Sequence, residues 1–233
     1  MLRRRFAGVG ALLMLGCCTL WGQQAVVTVA GEPENLQMAK DRLTAYQSCQ
    51  ATTCYQPQLK RQIQLAMDFL KAAEVAAKPG EKLAMVLDID ETSLSNWATE
   101  QQDDYGYLPA DSDKCVKDHC AKAIPETLAL FKEAVGTGKV KVFFITGRPE
   151  AQRADTEANL KAEGYAGWKH LALRAADHPA GQTTIEYKSG ERAKIVAEGY
   201  RIVLSVGDQM SDLLGDPMAE HSVKLPNPFY LLP

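Results

Sequence analysis

The chain has 233 residues, 46% of them hydrophobic, with 26 Lys and Arg against 29 Asp and Glu for a formal net charge of −3. That length and apolar content suit one well-buried core, so one main domain is expected. A mildly acidic balance with no basic cluster beyond the first residues excludes nucleic acid, or an anionic membrane surface, as the main partner.

The chain opens Met1-Leu2-Arg3-Arg4-Arg5 and continues with an apolar stretch from Phe6 to Leu15. A basic start followed by a short apolar run is an export signal, too short to span a bilayer. Residues 1–22 are therefore read as a signal peptide. Met14-Leu15-Gly16-Cys17 resembles a bacterial lipobox, which would put a lipid on Cys17 and attach the protein to a membrane. Ordinary cleavage near Gly22 or Ala25 is the alternative. The expected location is outside the cytoplasm: periplasmic, anchored at the outer membrane through the lipid, or secreted.

A domain is expected over residues 34–233. It starts with a helical appendage over 34–80, formed by helices from Asn35 to about Gln47 and from Pro57 to Ala77, the second stopped by Lys78-Pro79-Gly80. From Leu83 onward short apolar runs alternate with helical segments. Strands are predicted at Leu83–Leu87, Val140–Ile145, Trp168–Leu173 and Ile202–Val206, with a further one at Ser222–Leu225. Helices are predicted at Ile124–Ala134, Pro149–Glu163 and Glu191–Glu198, with Gly164 and Gly199 as stops. The fold class is therefore α/β, a Rossmann-like parallel sheet with helices on both faces. Residues 93–122 break this rhythm. They are polar, rich in Asp, Tyr and Gly, and read as a cap or lid insertion over the site.

Four cysteines lie outside the leader: Cys49, Cys54, Cys115 and Cys120, two pairs of C-x-x-x-x-C spacing. In an exported protein an even count favours two local disulfides, although three connectivities fit the sequence. A four-thiolate zinc site is the sharper alternative, with spacing longer than usual.

The chemistry gathers at the carboxyl ends of the strands. Asp88 and Asp90 close the first apolar run in L-A-M-V-L-D-I-D-E-T; Thr146-Gly147-Arg148-Pro149 ends the second; Asp208 and Asp212 follow the fourth. Lys188 lies in Tyr187-Lys188-Ser189, just ahead of the helix predicted near Glu191. Open α/β sheets bind ligands at these ends. Several carboxylates without histidine suit a hard cation such as Mg²⁺, and a lysine with a threonine suits a phosphoryl group. His119, His170, His178 and His221 have no metal-ligand spacing. Arg148 and Arg174 either assist an anion or pair with surface acids.

D-I-D-E-T, Thr146, Lys188 and G-D-Q-M-S-D, in this order, resemble the four motifs of the haloacid dehalogenase (HAD) superfamily. F-F-I-T-G-R-P-E, Y-K-S-G-E-R and G-Y-R-I-V-L-S-V-G-D-Q are similar to its class B and C acid phosphatase-like family, which includes bacterial acid phosphatase lipoproteins and plant vegetative storage proteins. The resemblance runs from about Asn35 to the C-terminus. It implies an acid phosphatase acting on small phosphate esters, with Asp88 as nucleophile and Asp90 as general acid and base. Thr146 and Lys188 would hold the phosphoryl group. Mg²⁺ would be held by Asp88, the Asp90 carbonyl and Asp208, with Asp212 in or just behind the ligand set. Asn96, Trp97, Tyr105 and Tyr107 are candidate pocket residues, the aromatic ones offering a stacking surface for a nucleoside monophosphate. A non-catalytic storage or binding protein is the rival reading, although every motif acid is present here. A phosphotransferase would share every residue named.

Overall fold

A computed structural model describes residues 31–232, so the predicted signal segment and Cys17 lie outside the described residues. Two helices come first, α1 (Leu36–Ser48) and α2 (Tyr55–Ala76). Asn35 caps α1 by accepting from the backbone N–H of Gln37 at 2.9 Å. In α2, Leu59, Ile63, Ala66, Leu70 and Ala73 recur at helical spacing, and all five are buried. The helix begins two residues earlier than predicted. Pro57 is its third residue, where the missing N–H has no acceptor within the helix in any case. A Cys49–Cys54 disulfide closes the turn between α1 and α2.

The sheet is formed by β1 (Lys82–Leu87), β4 (Val140–Pro149), β5 (His170–Arg174), β6 (Tyr200–Gly207) and β7 (His221–Lys224). All pairings are parallel, in the order β5-β4-β1-β6-β7. The chain thus moves from β1 outward through β4 to β5, then returns to lay β6 on the other side of β1. Side chains of β1 alternate between two cores. Leu83, Met85 and Leu87 pack with α2 and with α5 (Pro125–Gly136). Ala84 and Val86 pack with Tyr187 and Ile195 of α7 (Thr184–Ala197). Both faces are covered, which is why the strands read as continuous apolar runs.

Two predicted helices have different starts. The segment after the second strand is not helical from Pro149. The strand continues to Pro149, a short 3₁₀ turn spans Glu150–Gln152, and α6 runs over Arg153–Ala162. Pro149 itself is extended, with ψ 148°, and a residue preceding proline disfavours the helical region. The helix predicted from Glu191 starts instead at Thr184. Thr183 and Glu186 form a reciprocal capping box there, with Thr183 Oγ1 accepting from the Glu186 N–H at 3.1 Å and Glu186 Oε2 from the Thr183 N–H at 2.8 Å. Lys188 is therefore inside α7 and not ahead of it.

The insertion is a small ordered cap. It contains β2 (Leu94–Ser95), α3 (Trp97–Gln102), α4 (Pro109–Lys117) and β3 (Lys122–Ala123), and β2 pairs antiparallel with β3. A Cys115–Cys120 disulfide ties the end of α4 to the following turn. Both bridges are local, and they settle the connectivity that the sequence left open. Tyr165 Oη donates to the Ser93 carbonyl at 2.7 Å, which fixes the cap's first residue to the core.

Candidate active site

The crevice between β1 and β6 is where the strand order reverses, the position at which open α/β sheets place ligands. Asp88 leaves β1 there, its N–H still donating to the Val206 carbonyl at 3.1 Å. Asp208 leaves β6 beside it. Asp212 follows in a 3₁₀ turn and accepts from the Gln209 N–H through Oδ2 at 2.8 Å. That turn needs Gly207, because a Cβ on it would lie 2.2 Å from Asp212 Cβ. Behind the turn, Arg192 Nη1 and Ser205 Oγ both donate to the Asp212 carbonyl, at 2.9 and 3.2 Å.

Asp88, Asp208 and Asp212 are all buried and offer carboxylate oxygens within 4.8 Å of one another. Lys188 reaches into this trio from α7. Its ammonium lies 2.7 Å from Asp88 Oδ1 and also donates to Asp212 Oδ1. Burial alone would push this lysine down, yet the carboxylates of Asp212 and Asp88 outweigh it and hold the ammonium charged well above its ordinary range. Burial drives the Asp88 carboxyl up; Lys188 opposes this, while Asp212 and Asp208 add to it. Asp208 is likewise raised, by burial and then by Asp212, although Gln209 Nε2 and Asn227 Nδ2 donate to its Oδ2 at 2.7 and 2.6 Å. Three buried acids gather around one ammonium, an excess of acid over base that a bound divalent ion would offset. An all-oxygen donor set without histidine or thiolate fits Mg²⁺.

Asp90 faces the cavity and is held differently. Arg148 Nη2 lies 2.7 Å from its Oδ1 and Nε 2.9 Å from its Oδ2, while Asn96 Nδ2 donates to Oδ1 at 2.9 Å. Burial raises this carboxyl, but the guanidinium and the hydrogen bonds override it and hold Asp90 below the ordinary carboxylate range. Arg148 thus pairs with a site acid, a partner not among those foreseen. Glu91, third acid of the D-I-D-E-T string, accepts from the Asn96 N–H at 2.6 Å and anchors the entry to α3.

These groups floor a cavity of about 570 Å³, which Asp88, Asp90, Arg148, Lys188 and Asp208 line and the cap roofs. Thr146 is fully buried, and its hydroxyl accepts from the Arg148 N–H at 3.2 Å; Gly147 and Arg148, not Thr146, line the cavity. Trp97 does not line it either. It is a core residue, its ring edge-on to Tyr55 at 4.9 Å and to Phe229 at 4.3 Å. Tyr105, Tyr107, Phe229 and Tyr230 do line it. The last two come from the C-terminal segment, whose sequence carries no chemical motif. Of the four histidines, none lines the cavity; His221, for example, stacks on Phe69 at 3.9 Å. Arg174 stands over the Tyr187 ring at 5.7 Å and donates to the Gln182 carbonyl, away from the site.

A parallel sheet carrying an acidic trio and a lysine at its carboxyl edge, beneath a small cap, has the haloacid dehalogenase architecture. The chain belongs to subfamily IIIB (acid phosphatase) of the HAD superfamily, whose family model matches residues 18–233. It is 43% identical over 150 residues to acid phosphatase 1 of Solanum lycopersicum, covering 63% of this chain and 58% of that protein. With the stem 28 kDa glycoprotein of Glycine max the identity is 39%, covering 65% and 61%. Vegetative storage protein 2 of Arabidopsis thaliana is 30% identical, covering 71% and 62%. The chain thus spans roughly three fifths of the length of these relatives. The class C acid phosphatase from Bacillus anthracis with tungstate bound shares the fold, with a TM-score of 0.63 at 24% identity over 84% of this chain and 87% of that one.

Proposed function

We propose that the protein is an exported, Mg²⁺-dependent acid phosphatase that hydrolyses small phosphomonoesters through an aspartyl-phosphate on Asp88. One observation carries this reading: Lys188 bridges Asp88 and Asp212 inside a buried acidic trio at the sheet's switch point. A carboxylate oxygen of Asp88 attacks phosphorus, and the bond to the leaving oxygen breaks as Asp90 gives that oxygen a proton. Asp90 then takes a proton from the water that attacks the aspartyl-phosphate, releasing phosphate and restoring Asp88. Lys188, with the Gly147–Arg148 backbone of the loop that the Thr146 hydroxyl braces, holds the phosphoryl oxygens and meets the charge that builds on them. Asp88, Asp208 and the Asp90 carbonyl would hold Mg²⁺, with Asp212 beside them. When bound, the ion supplies the positive charge that lets an anionic ester approach an anionic nucleophile.

The test is hydrolysis of an aryl phosphate by the purified mature protein, with Mg²⁺ and with a chelator. Turnover is expected with Mg²⁺, falling ~100-fold or more on chelation and returning with added metal, since such ions contribute several kcal/mol to charge stabilisation. A folded protein that turns nothing over in the presence of Mg²⁺ would point to the storage or binding role.

The presence of Tyr105, Tyr107, Phe229 and Tyr230 in the cavity lining favours a flat leaving group such as a nucleoside. Nucleoside monophosphates are expected to be turned over roughly 10-fold faster than sugar phosphates, the equivalent of about one stacked ring. Equal kcat/KM on the two classes would remove the nucleotide assignment. Two disulfides and the basic-apolar start support export. The mass of the mature N-terminus tests the anchor: a diacylglycerol-modified Cys17 is expected for the lipoprotein, and an unmodified start near Gly22–Ala25 would exclude it.

A further inference from the structure

Among the described residues, the hydrogen bonds to the Asp90 carboxylate come from two residues, one on the core and one on the cap. From the core, Arg148 presents Nε and Nη2 as a fork to both carboxylate oxygens. The fork is itself fixed, because Arg148 is buried and its Nη1 donates to Thr156 Oγ1 at 3.2 Å. From the cap, Asn96 adds its amide to Oδ1, and its own backbone is tied to Glu91. A planar guanidinium paired at two points sets the plane of a carboxylate as a single point charge does not.

We propose that Arg148 is the positioning residue for Asp90, fixing the plane in which its carboxyl meets the leaving oxygen, with Asn96 coupling that orientation to the cap. The proposal rests on the phosphatase reading above. In the first half-reaction the bond from Asp88 to phosphorus forms and the bond from phosphorus to the leaving oxygen breaks. Asp90, a carboxylate at rest as the fork and Asn96 hold it, takes up a proton from solvent before this step, passes it to that oxygen and is left again as that carboxylate. Arg148 matters most where the leaving oxygen most needs a proton. A residue that served only the fold, or only the phosphoryl group, would affect all esters alike.

The experiment compares kcat/KM on an aryl phosphate with a weakly basic leaving group and on glycerol phosphate, whose leaving alkoxide is strongly basic. Measurements cover the wild type, Arg148→Gln, Arg148→Lys and Asn96→Ala, all with Mg²⁺. General acid assistance is worth ~100-fold or more, so Arg148→Gln is expected to lose ~100-fold on glycerol phosphate and ~3-fold on the aryl ester. Arg148→Lys keeps the charge without the fork, and is expected to shift the ratio of the two rates ~10-fold in the same direction. Asn96→Ala removes one donor of three from a half-buried cap position and is expected to shift it ~5-fold, which keeps the test open if Arg148→Gln fails to fold. Equal losses on both esters, or a wild-type ratio in Arg148→Lys or Asn96→Ala, would overturn the proposal. Wild-type turnover with unshifted variants defeats only this inference, whereas a wild type inactive on both esters defeats the phosphatase reading as well.

Discussion

Replacing Asp88 by Asn is expected to lower kcat/KM on aryl phosphates by ~10⁴-fold or more, because loss of a covalent nucleophile costs that much even when every binding group remains. The substitution is close to isosteric and leaves an oxygen for Lys188, which now lies 2.7 Å from Asp88 Oδ1. It also removes one of three buried acids that crowd each other. The folded state of the metal-free protein is therefore expected to be no less stable, and its melting temperature to stay level or rise. Loss of turnover together with an intact melting transition assigns the chemistry to this carboxylate. Activity that survives the change would mean that another group attacks phosphorus.

Lys188→Met is expected to be the most destabilising single change at the site, by ~3–5 kcal/mol, the cost of removing one partner from a buried ion pair. Asp88 and Asp212 would be left facing each other with Asp208 close by and no cation between them. The sign with pH follows from the lysine. Its folded value is raised above the unfolded one, so the stabilisation is complete below the ordinary lysine range and fades only as pH rises through and beyond that range. The deficit in the variant should accordingly be present at neutral pH. Added Mg²⁺ should recover part of it, since an ion that binds only the folded form stabilises that form. Denaturant melts of both proteins, with Mg²⁺ and with chelator, provide the check. A variant as stable as the wild type in chelator would show that the trio does not depend on this ammonium.

The strands were legible because each is covered on both faces and so reads as an unbroken apolar run; Val140–Ile145 and Ile202–Val206 fall inside β4 and β6. Asp88, Asp208 and Asp212 were legible for a related reason, since strand ends mark the binding edge of such a sheet. Lys188 was identified but misplaced by one helix boundary. The T-x-x-E of Thr183–Glu186 was the available start signal. Arg148 was left between two roles because its partner is 58 positions away, and no local pattern joins them. Trp97 looked like a lid aromatic because its segment is polar, yet Tyr55 and Phe229, distant in sequence, enclose it. Asn227, Phe229 and Tyr230 had no signal beyond ordinary composition. Their role comes wholly from the path of the C-terminal segment over Asp208.

The parts of the site are far apart along the chain: Lys188 meets Asp88 across 100 positions, and Thr92 meets Asp208 across 116. No short stretch of the polypeptide contains a working fraction of it. Contacts of such separation form only when the bulk of the sheet is in place, because the loops that they close are long. A chain that has not yet folded therefore carries no part-assembled site; the acids and the lysine meet only when the sheet closes.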